Sequence, residues 1–329
     1  MEKGVTTMEL ETFLKEWRDD SPTLTVHTSG STGQPKPIAV EKRRMEASAR
    51  ITCQFLGLKP GNTALLCLPL DYIAGKMMVV RALTCGLRLI SVEPSGHPLA
   101  MVTEPLDFAA MVPLQVWNAL QVPEERQRLA AIGNLIVGGG AIEEAMASQL
   151  RALPNAVWST YGMTETLSHV ALRRLSGPDA SQWYTPFSGV SMQLDEDGCL
   201  IIDAPDVHEG VLHTNDIAEL QPDGSFRILG RRDNVICSGG IKIQAEEVER
   251  LLKPYLHRSF CITKKKDQRL GESVVLLTED GDHDSVAALC RKVLPPYWQP
   301  RHYLCGTRIP MTATGKIARK EAERLAQQS

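Results

Sequence analysis

Apolar residues in the first half of the chain alternate between short, nearly unbroken runs and stripes at helical spacing. Residues 63–70 read Thr-Ala-Leu-Leu-Cys-Leu-Pro-Leu, the kind of run carried by a strand buried on both faces. Met45, Ala49, Cys53 and Leu56 share one helix face over 44–56, and Gly57 stands where a left-handed residue ends a helix. Residues 73–85 read as a further helix stopped by Gly86, and 87–92 as a strand. The alternation continues with a strand near 108–112, a helix opened by Pro113, a strand at 135–137, a helix at 143–153 and a strand at 157–160. Repeated strand–helix units predict a parallel sheet with helices on both faces.

After about residue 186 the rhythm changes. Residues 192–203 and 211–229 each read as a hairpin, turned at Asp197-Gly198 and Asp223-Gly224, so a small β-subdomain is expected over about 187–229. Beyond Gly230 follow short strands and helices at 244–252, 273–278, 285–293 and 316–327. The charged run Arg231-Arg232-Asp233 marks the boundary. The expected organisation is an α/β domain over 1–229, with a parallel sheet, flanking helices and the β-subdomain, then a small α+β domain over 230–329. Lys264-Lys265-Lys266 reads as a solvated turn between strands.

Charge changes this picture little. A net charge of −3 offers no electrostatic reason to expect nucleic acid or an anionic membrane as partner. Eight dispersed cysteines without a Cys-x-x-Cys pair fit a reducing compartment rather than a metal or disulfide framework. The N-terminus lacks an apolar leader and no run of apolar residues is long enough to cross a bilayer, so a cytoplasmic protein without membrane insertion is expected.

Candidate chemistry concentrates in residues 28–36, Thr28-Ser29-Gly30-Ser31-Thr32-Gly33-Gln34-Pro35-Lys36. Gly30 and Gly33 let the backbone approach an anion, four hydroxyls add donors and Lys36 adds a point charge, a set suited to a polyphosphate. The spacing is not that of a P-loop, which separates its glycines by four residues and follows Gly-Lys with Ser or Thr. Downstream, Tyr161-Gly162-Met163-Thr164-Glu165-Thr166 follows a strand at the carboxyl end of the sheet. Tyr161 could lie on a flat heterocycle and Glu165 could hold Mg²⁺ beside phosphate; a helix start with Thr164 as cap is the plainer alternative. Gly138-Gly139-Gly140-Ala141 suits either a close-lying base or a tight turn. Asp216, at a strand start in Thr214-Asn215-Asp216, suits a ribose diol or a turn. Lys316, in Pro310-Met311-Thr312-Ala313-Thr314-Gly315-Lys316, can reach out to developing negative charge.

In type and order these motifs resemble the adenylate-forming superfamily of acyl- and aryl-CoA synthetases, adenylation domains and luciferases. Within it, Pro69-Leu70-Asp71-Tyr72-Ile73-Ala74-Gly75 and Tyr161-Gly162-Met163-Thr164-Glu165-Thr166-Leu167-Ser168-His169 are similar to the o-succinylbenzoate–CoA ligases of menaquinone biosynthesis. The resemblance implies an AMP-forming acid–thiol ligase that uses ATP, Mg²⁺ and coenzyme A as co-substrate. It gives residues 28–36 the β- and γ-phosphates, Thr164 the α-phosphate, Glu165 the Mg²⁺ and Tyr161 the adenine face. Gly139, Gly140 and Ala141 take the base edge, Asp216 with Arg231 the ribose, and Lys316 bridges carboxylate and α-phosphate in adenylation. Asp233 falls at a hinge, 230–234, about which the C-terminal domain moves between the two half-reactions.

For the acyl pocket, Arg81 could grip a second carboxylate, with an ion pair as the equal alternative; Lys76, Ser168 and His169 are further candidates. His169 reads more readily as a satisfied hydrogen-bonding residue than as a ligand. The phosphate loop lies far earlier than in such families, implying a chain shortened at its N-terminus. Asn215 and Asp71 also depart from the family pattern, which bears on the choice of acid. A ligase for another aryl or medium-chain acid and a non-catalytic nucleotide-binding relic stay open, as does a homodimer.

Overall fold

The structure is a computed structural model that describes residues 9–27, 37–140, 142, 144–312 and 317–329. Two compact units emerge: residues 1–192, 202–212 and 221–226, and residues 193–201, 213–220 and 227–329.

In the first unit, helix α1 (Leu10–Arg18) precedes an antiparallel pair, β1 (Thr23–His27) and β2 (Pro37–Glu41), in which His27 faces Pro37. Residues 28–36, which join these strands, lie outside the described residues. Next come α2 (Lys42–Phe55), β3 (Thr63–Leu66), α3 (Ile73–Cys85), β4 (Arg88–Ser91), β5 (Phe108–Met111), α4 (Pro113–Gln121) and α5 (Pro123–Ala131). Then follow β6 (Asn134–Val137), α6 (Glu144–Arg151), β7 (Ala156–Gly162), β8 (His169–Arg174) and β9 (Thr185–Pro186). The sheet order is β4-β3-β5-β6-β7-β8-β9. Leu65, Phe108, Ala109, Leu135 and Val157 are fully buried in it, as their unbroken apolar runs require.

The α/β class with flanking helices is as expected, but the sheet is mixed rather than parallel. β4, β3, β5, β6 and β7 run parallel, whereas β8 pairs antiparallel with β7 and β9 with β8. Only residues 163–168 separate β7 from β8, too short a link for a parallel crossover, so the chain must fold back beside itself.

Strands β10 (Ser191–Leu194), β11 (Cys199–Asp203), β12 (Val211–Leu220) and β13 (Phe226–Arg231) form a second sheet in that order. Both expected hairpin turns are present. Gly198 (φ 78°) and Gly224 (φ 83°) take the left-handed conformation that makes glycine the natural residue there. Asp216 lies within β12 rather than at a strand start.

The second unit holds β14 (Val235–Ser238), β15 (Ile241–Gln244), α7 (Ala245–Leu252), β16 (Phe260–Asp267), β17 (Gly271–Thr278), α8 (His283–Val293), β18 (His302–Cys305) and α9 (Arg319–Gln328). Its sheet runs β15-β14-β17-β16, with β18 parallel to β17. Alternation along β17 feeds two cores. Val274 and Leu276 pack with Val248, Leu252, Val286 and Cys290, whereas Val275 and Leu277 pack with Ile309, Ala322 and Ala326. Lys264, Lys265 and Lys266 belong to β16, opposite Val274, Ser273 and Glu272, not to a turn. The reversal comes later, where the Asp267 carboxylate accepts the N–H groups of Arg269 and Leu270. Among the described residues no helix is long and apolar enough to cross a membrane.

Candidate active site

The link between β7 and β8 is built by unusual backbone geometry. Residues Thr164–Thr166 make a single 3₁₀ turn, not the start of a longer helix, and Leu167 follows at φ 65°, ψ −37°. The Ser168 N–H donates to the Thr166 carbonyl at 2.7 Å, so Leu167 is the centre of a γ-turn of the strained, positive-φ kind. The fully buried Thr166 holds it. Its hydroxyl oxygen accepts the Met163 N–H at 3.0 Å and lies 3.0 and 2.8 Å from the carbonyls of Met163 and Ser168. Gly162 makes the close return feasible, since a Cβ there would lie 2.2 Å from the Ser168 carbonyl oxygen. Backbone strain of this kind is found at functional sites when surrounding bonds over-determine it.

Ser168 and His169 are thereby presented to Arg81 of α3. Arg81 is 2 % exposed and donates from Nη2 to Ser168 Oγ at 2.7 Å and from Nη1 to Met78 Sδ at 3.7 Å. Its Nε has no hydrogen-bond partner, and no carboxylate among the described residues pairs with it. Burial without an anion pushes the guanidinium down to about 10. Ser168 Oγ lies 3.1 Å from His169 Nδ1, and His169 Nε2 lies 3.2 Å from Thr52 Oγ1 of α2. Burial first, then the Arg81 charge, hold His169 well below the usual imidazole range, so it is neutral. Burial and the neighbouring Cys85 thiol push Cys53 up, which makes it filler rather than a nucleophile.

Lys76 lies elsewhere. Its ammonium donates to the Thr25 carbonyl at 3.2 Å and sits 5.7 Å from the Phe13 ring centroid. It lines a cavity of about 380 Å³ with Glu16, Asp19, Thr25 and Asp71.

On β7, Tyr161 packs edge-on against Phe226 (5.1 Å) and lies 5.8 Å from Tyr184, whose hydroxyl meets Ser159 Oγ at 2.9 Å. The half-buried Tyr161 is thus braced by two aromatic rings. Gly139 adopts φ 82°, while a Cβ on Gly138 would strike Thr160 Oγ1 at 2.3 Å, so that glycine serves packing onto β7. Glu165 is exposed, and its backbone carbonyl accepts from His208 Nδ1 at 3.1 Å.

In the second unit, Arg231 donates to Asp216 at 2.9 Å and to Asp233 at 3.0 Å, and Asn215 reaches Asp233 at 3.4 Å. Asp216, Arg231 and Asp233 therefore form one cluster. Lys316, Ala141 and the loop from Thr28 through Ser29, Gly30, Ser31, Thr32 and Gly33 to Lys36 lie outside the described residues. The Met311–Ile317 bridge flanks residues 313–316. Beyond it Arg319 grips Glu249 with bonds of 2.6 and 2.7 Å.

Thr52 and Thr166 are the site residues that pattern reading missed. Thr52 with Ser48 marks a buried polar pair four residues apart on α2, a signal of hydrogen bonding that the apolar stripe overshadows.

The family model described as AMP-binding enzyme matches residues 5–212. The 2-succinylbenzoate--CoA ligase of Salmonella typhimurium is 27% identical, covering 92% of this chain and 69% of its own length. That of Bacillus mycoides is 22% identical, over 97% and 73%. Among solved structures, an acyl-CoA synthetase (AMP-forming)/AMP-acid ligase II-like protein from Dyadobacter fermentans is 35% identical, with TM-score 0.66 over 95% of this chain and 92% of that one. The o-succinylbenzoate coenzyme A synthetase of Bacillus subtilis, in complex with ATP and magnesium ion, shares the fold, with TM-score 0.73 and 21% identity over 90% and 69%.

Proposed function

The chain belongs to the AMP-binding enzyme family, and from that premise we propose that it ligates o-succinylbenzoate to coenzyme A at the expense of ATP, in menaquinone biosynthesis. The observation that carries this choice of acid is Arg81, a buried guanidinium with an orphaned Nε and no carboxylate partner among the described residues. Such a group is complementary to the carboxylate of a diacid that must be held without being activated. The names of the curated relatives support the same acid.

In the first half-reaction a carboxylate oxygen forms a bond to the α-phosphorus of ATP, the bond to pyrophosphate breaks, and the acyl-adenylate remains. In the second, the coenzyme A sulfur attacks the acyl carbon, the carbon–oxygen bond to AMP breaks, and the thiol proton passes to solvent or a base. The first step brings two anions together, so charge neutralisation is its main requirement. Residues 28–36 hold the β- and γ-phosphates and Thr164 the α-phosphate. The braced ring of Tyr161 and the backbone at Gly139, Gly140 and Ala141 take the base. Asp216, oriented by Arg231, takes the ribose diol, and Lys316 supplies the cation for adenylation. Glu165 would hold Mg²⁺, which supplies charge neutralisation at the phosphates. Its carboxylate is exposed, and among the described residues no cluster of three ligands competes for the ion. Residues 230–234, with Asp233, form the hinge between a domain over 1–229 and one over 230–329. The reaction belongs in the cytoplasm, where the free thiols stay reduced.

Pyrophosphate release from ATP with o-succinylbenzoate, without coenzyme A, tests the reading. Release with o-succinylbenzoate and little with benzoate is expected. Release with mono-acids alone would move the enzyme to another acid, and no release with any carboxylate would leave a nucleotide-binding relic.

A further inference from the structure

Thr52, His169, Ser168 and Arg81 form one buried chain of hydrogen bonds, and its direction follows from the chemistry of its ends. A guanidinium only donates, so Ser168 Oγ accepts from Arg81 Nη2. The Ser168 proton can meet a lone pair on His169 Nδ1 at 3.1 Å when the imidazole proton sits on the other nitrogen. Thr52 spends its one proton on a backbone carbonyl, so its oxygen accepts from Nε2 at 3.2 Å, and the single proton of the neutral imidazole sits there. Thr52 passes its own proton to the Ser48 carbonyl at 3.0 Å, within α2. Each hydroxyl accepts once and donates once, each ring nitrogen makes one bond, and no link carries negative charge.

We infer that Thr52, remote from Arg81 in sequence and on a different helix, is a positioning residue that sets acid specificity by locking the His169 tautomer. With Nε2–H anchored on Thr52, Nδ1 draws the Ser168 proton away from Arg81 and turns the serine lone pair towards it. Loss of the Thr52 acceptor frees the imidazole to place its proton on Nδ1 and donate to Ser168. The serine oxygen must then accept from both neighbours while its own proton loses the imidazole acceptor, so the hydroxyl turns and its bond to the guanidinium weakens. The charged group acting on the imidazole is Arg81, itself flanked by the thiols of Cys53 and Cys85, and the Phe187 ring covers an imidazole edge. The functional consequence rests on the acid-binding role proposed for Arg81; the tautomer does not.

The test uses the full chain labelled with ¹⁵N-histidine, with His169 assigned by its loss in His169→Gln. Wild type should show the Nε2–H tautomer, unchanged through the range in which an ordinary imidazole titrates. A wild-type Nδ1–H form, or titration near the ordinary imidazole value, would overturn the inference without any variant. Thr52→Val keeps the shape and removes the acceptor. It should shift His169 to the other tautomer and raise KM for o-succinylbenzoate roughly tenfold, with KM for ATP unchanged and Thr52→Ser restoring both readouts. An unchanged tautomer or an unchanged acid KM in Thr52→Val would overturn it. Arg81→Met run in parallel separates the failures. If it raises the acid KM and Thr52→Val does not, only the positioning role falls; if neither does, the acid-binding role of Arg81 falls with it.

Discussion

Arg81→Met should stabilise the protein while disabling its acid site. The guanidinium is wholly buried, and burial without an anionic partner brings it from its ordinary value down to about 10. A base whose folded value lies below its unfolded value binds its proton less well when folded, so below about 10 the charge opposes folding. That penalty is fully present at neutral pH. The drop corresponds to roughly 3 kcal/mol. Methionine conserves much of the volume and removes both the charge and the orphaned Nε, but forfeits the charge-assisted bond to Ser168, worth about 1.5–3 kcal/mol. A net gain of up to about 1.5 kcal/mol remains, which should raise the thermal midpoint by up to a few degrees, at about 2–4 °C per kcal/mol for a unit of this size. In the same variant kcat/KM for o-succinylbenzoate should fall about a hundredfold, since losing one side of a buried charge pair costs about 2–5 kcal/mol. Turnover of a mono-acid should hold. Thermal melts and pyrophosphate release on one preparation give both readouts. A lower midpoint would refute the account of Arg81 as an uncompensated charge, and would make it structural.

His169 should make stability depend on pH in a defined direction. Its folded value is depressed, so the unfolded chain binds more protons below about 6.5, and stability should fall as pH drops from there by up to about 1.4 kcal/mol per unit. Urea melts at neutral and mildly acidic pH should show a shallower slope in His169→Gln; equal slopes would place the dependence elsewhere. Gly162→Ala forces a Cβ to 2.2 Å from the Ser168 carbonyl, so the return into β8 must shift. A loss of about 1–3 kcal/mol is expected, with a weakened acid site and an intact KM for ATP; a neutral outcome in melts would mean the two segments can part freely. In the second unit, Glu249→Gln leaves Arg319 without its anion. About 3 kcal/mol should be lost, read as faster hydrogen exchange in α9, and unchanged exchange would contradict it.

Elements set by local rules were readable along the chain. The stop of α3 at Gly86 and the turns at Gly198 and Gly224 depend on backbone freedom at single residues, and all three glycines adopt positive φ. Elements that depend on what lies opposite were not. His169–Arg174 carries no helical crossover to announce it, and becomes a strand only because β7 offers an open edge. Lys264–266 look like a turn by charge, yet β17 supplies them with backbone partners, and Glu272 meets Lys264 at 3.0 Å.

The candidate site divides along the same line. An arginine inside Met77-Met78-Val79-Val80-Arg81-Ala82 is conspicuous in sequence, but sequence alone leaves an ion pair and an anion site equally open. The fold sets Ser168 and a sulfur against it and, among the described residues, no carboxylate. Serine is neutral at every relevant pH and the imidazole behind it is held neutral, so nothing in this network can balance the charge. A fold that buries a cation while leaving one of its donors unused is destabilised unless an anion enters from outside. Choosing between the two readings of Arg81 is therefore a question of electroneutrality, which no motif encodes and on which the contacts of Thr52, His169, Ser168 and Arg81 bear together.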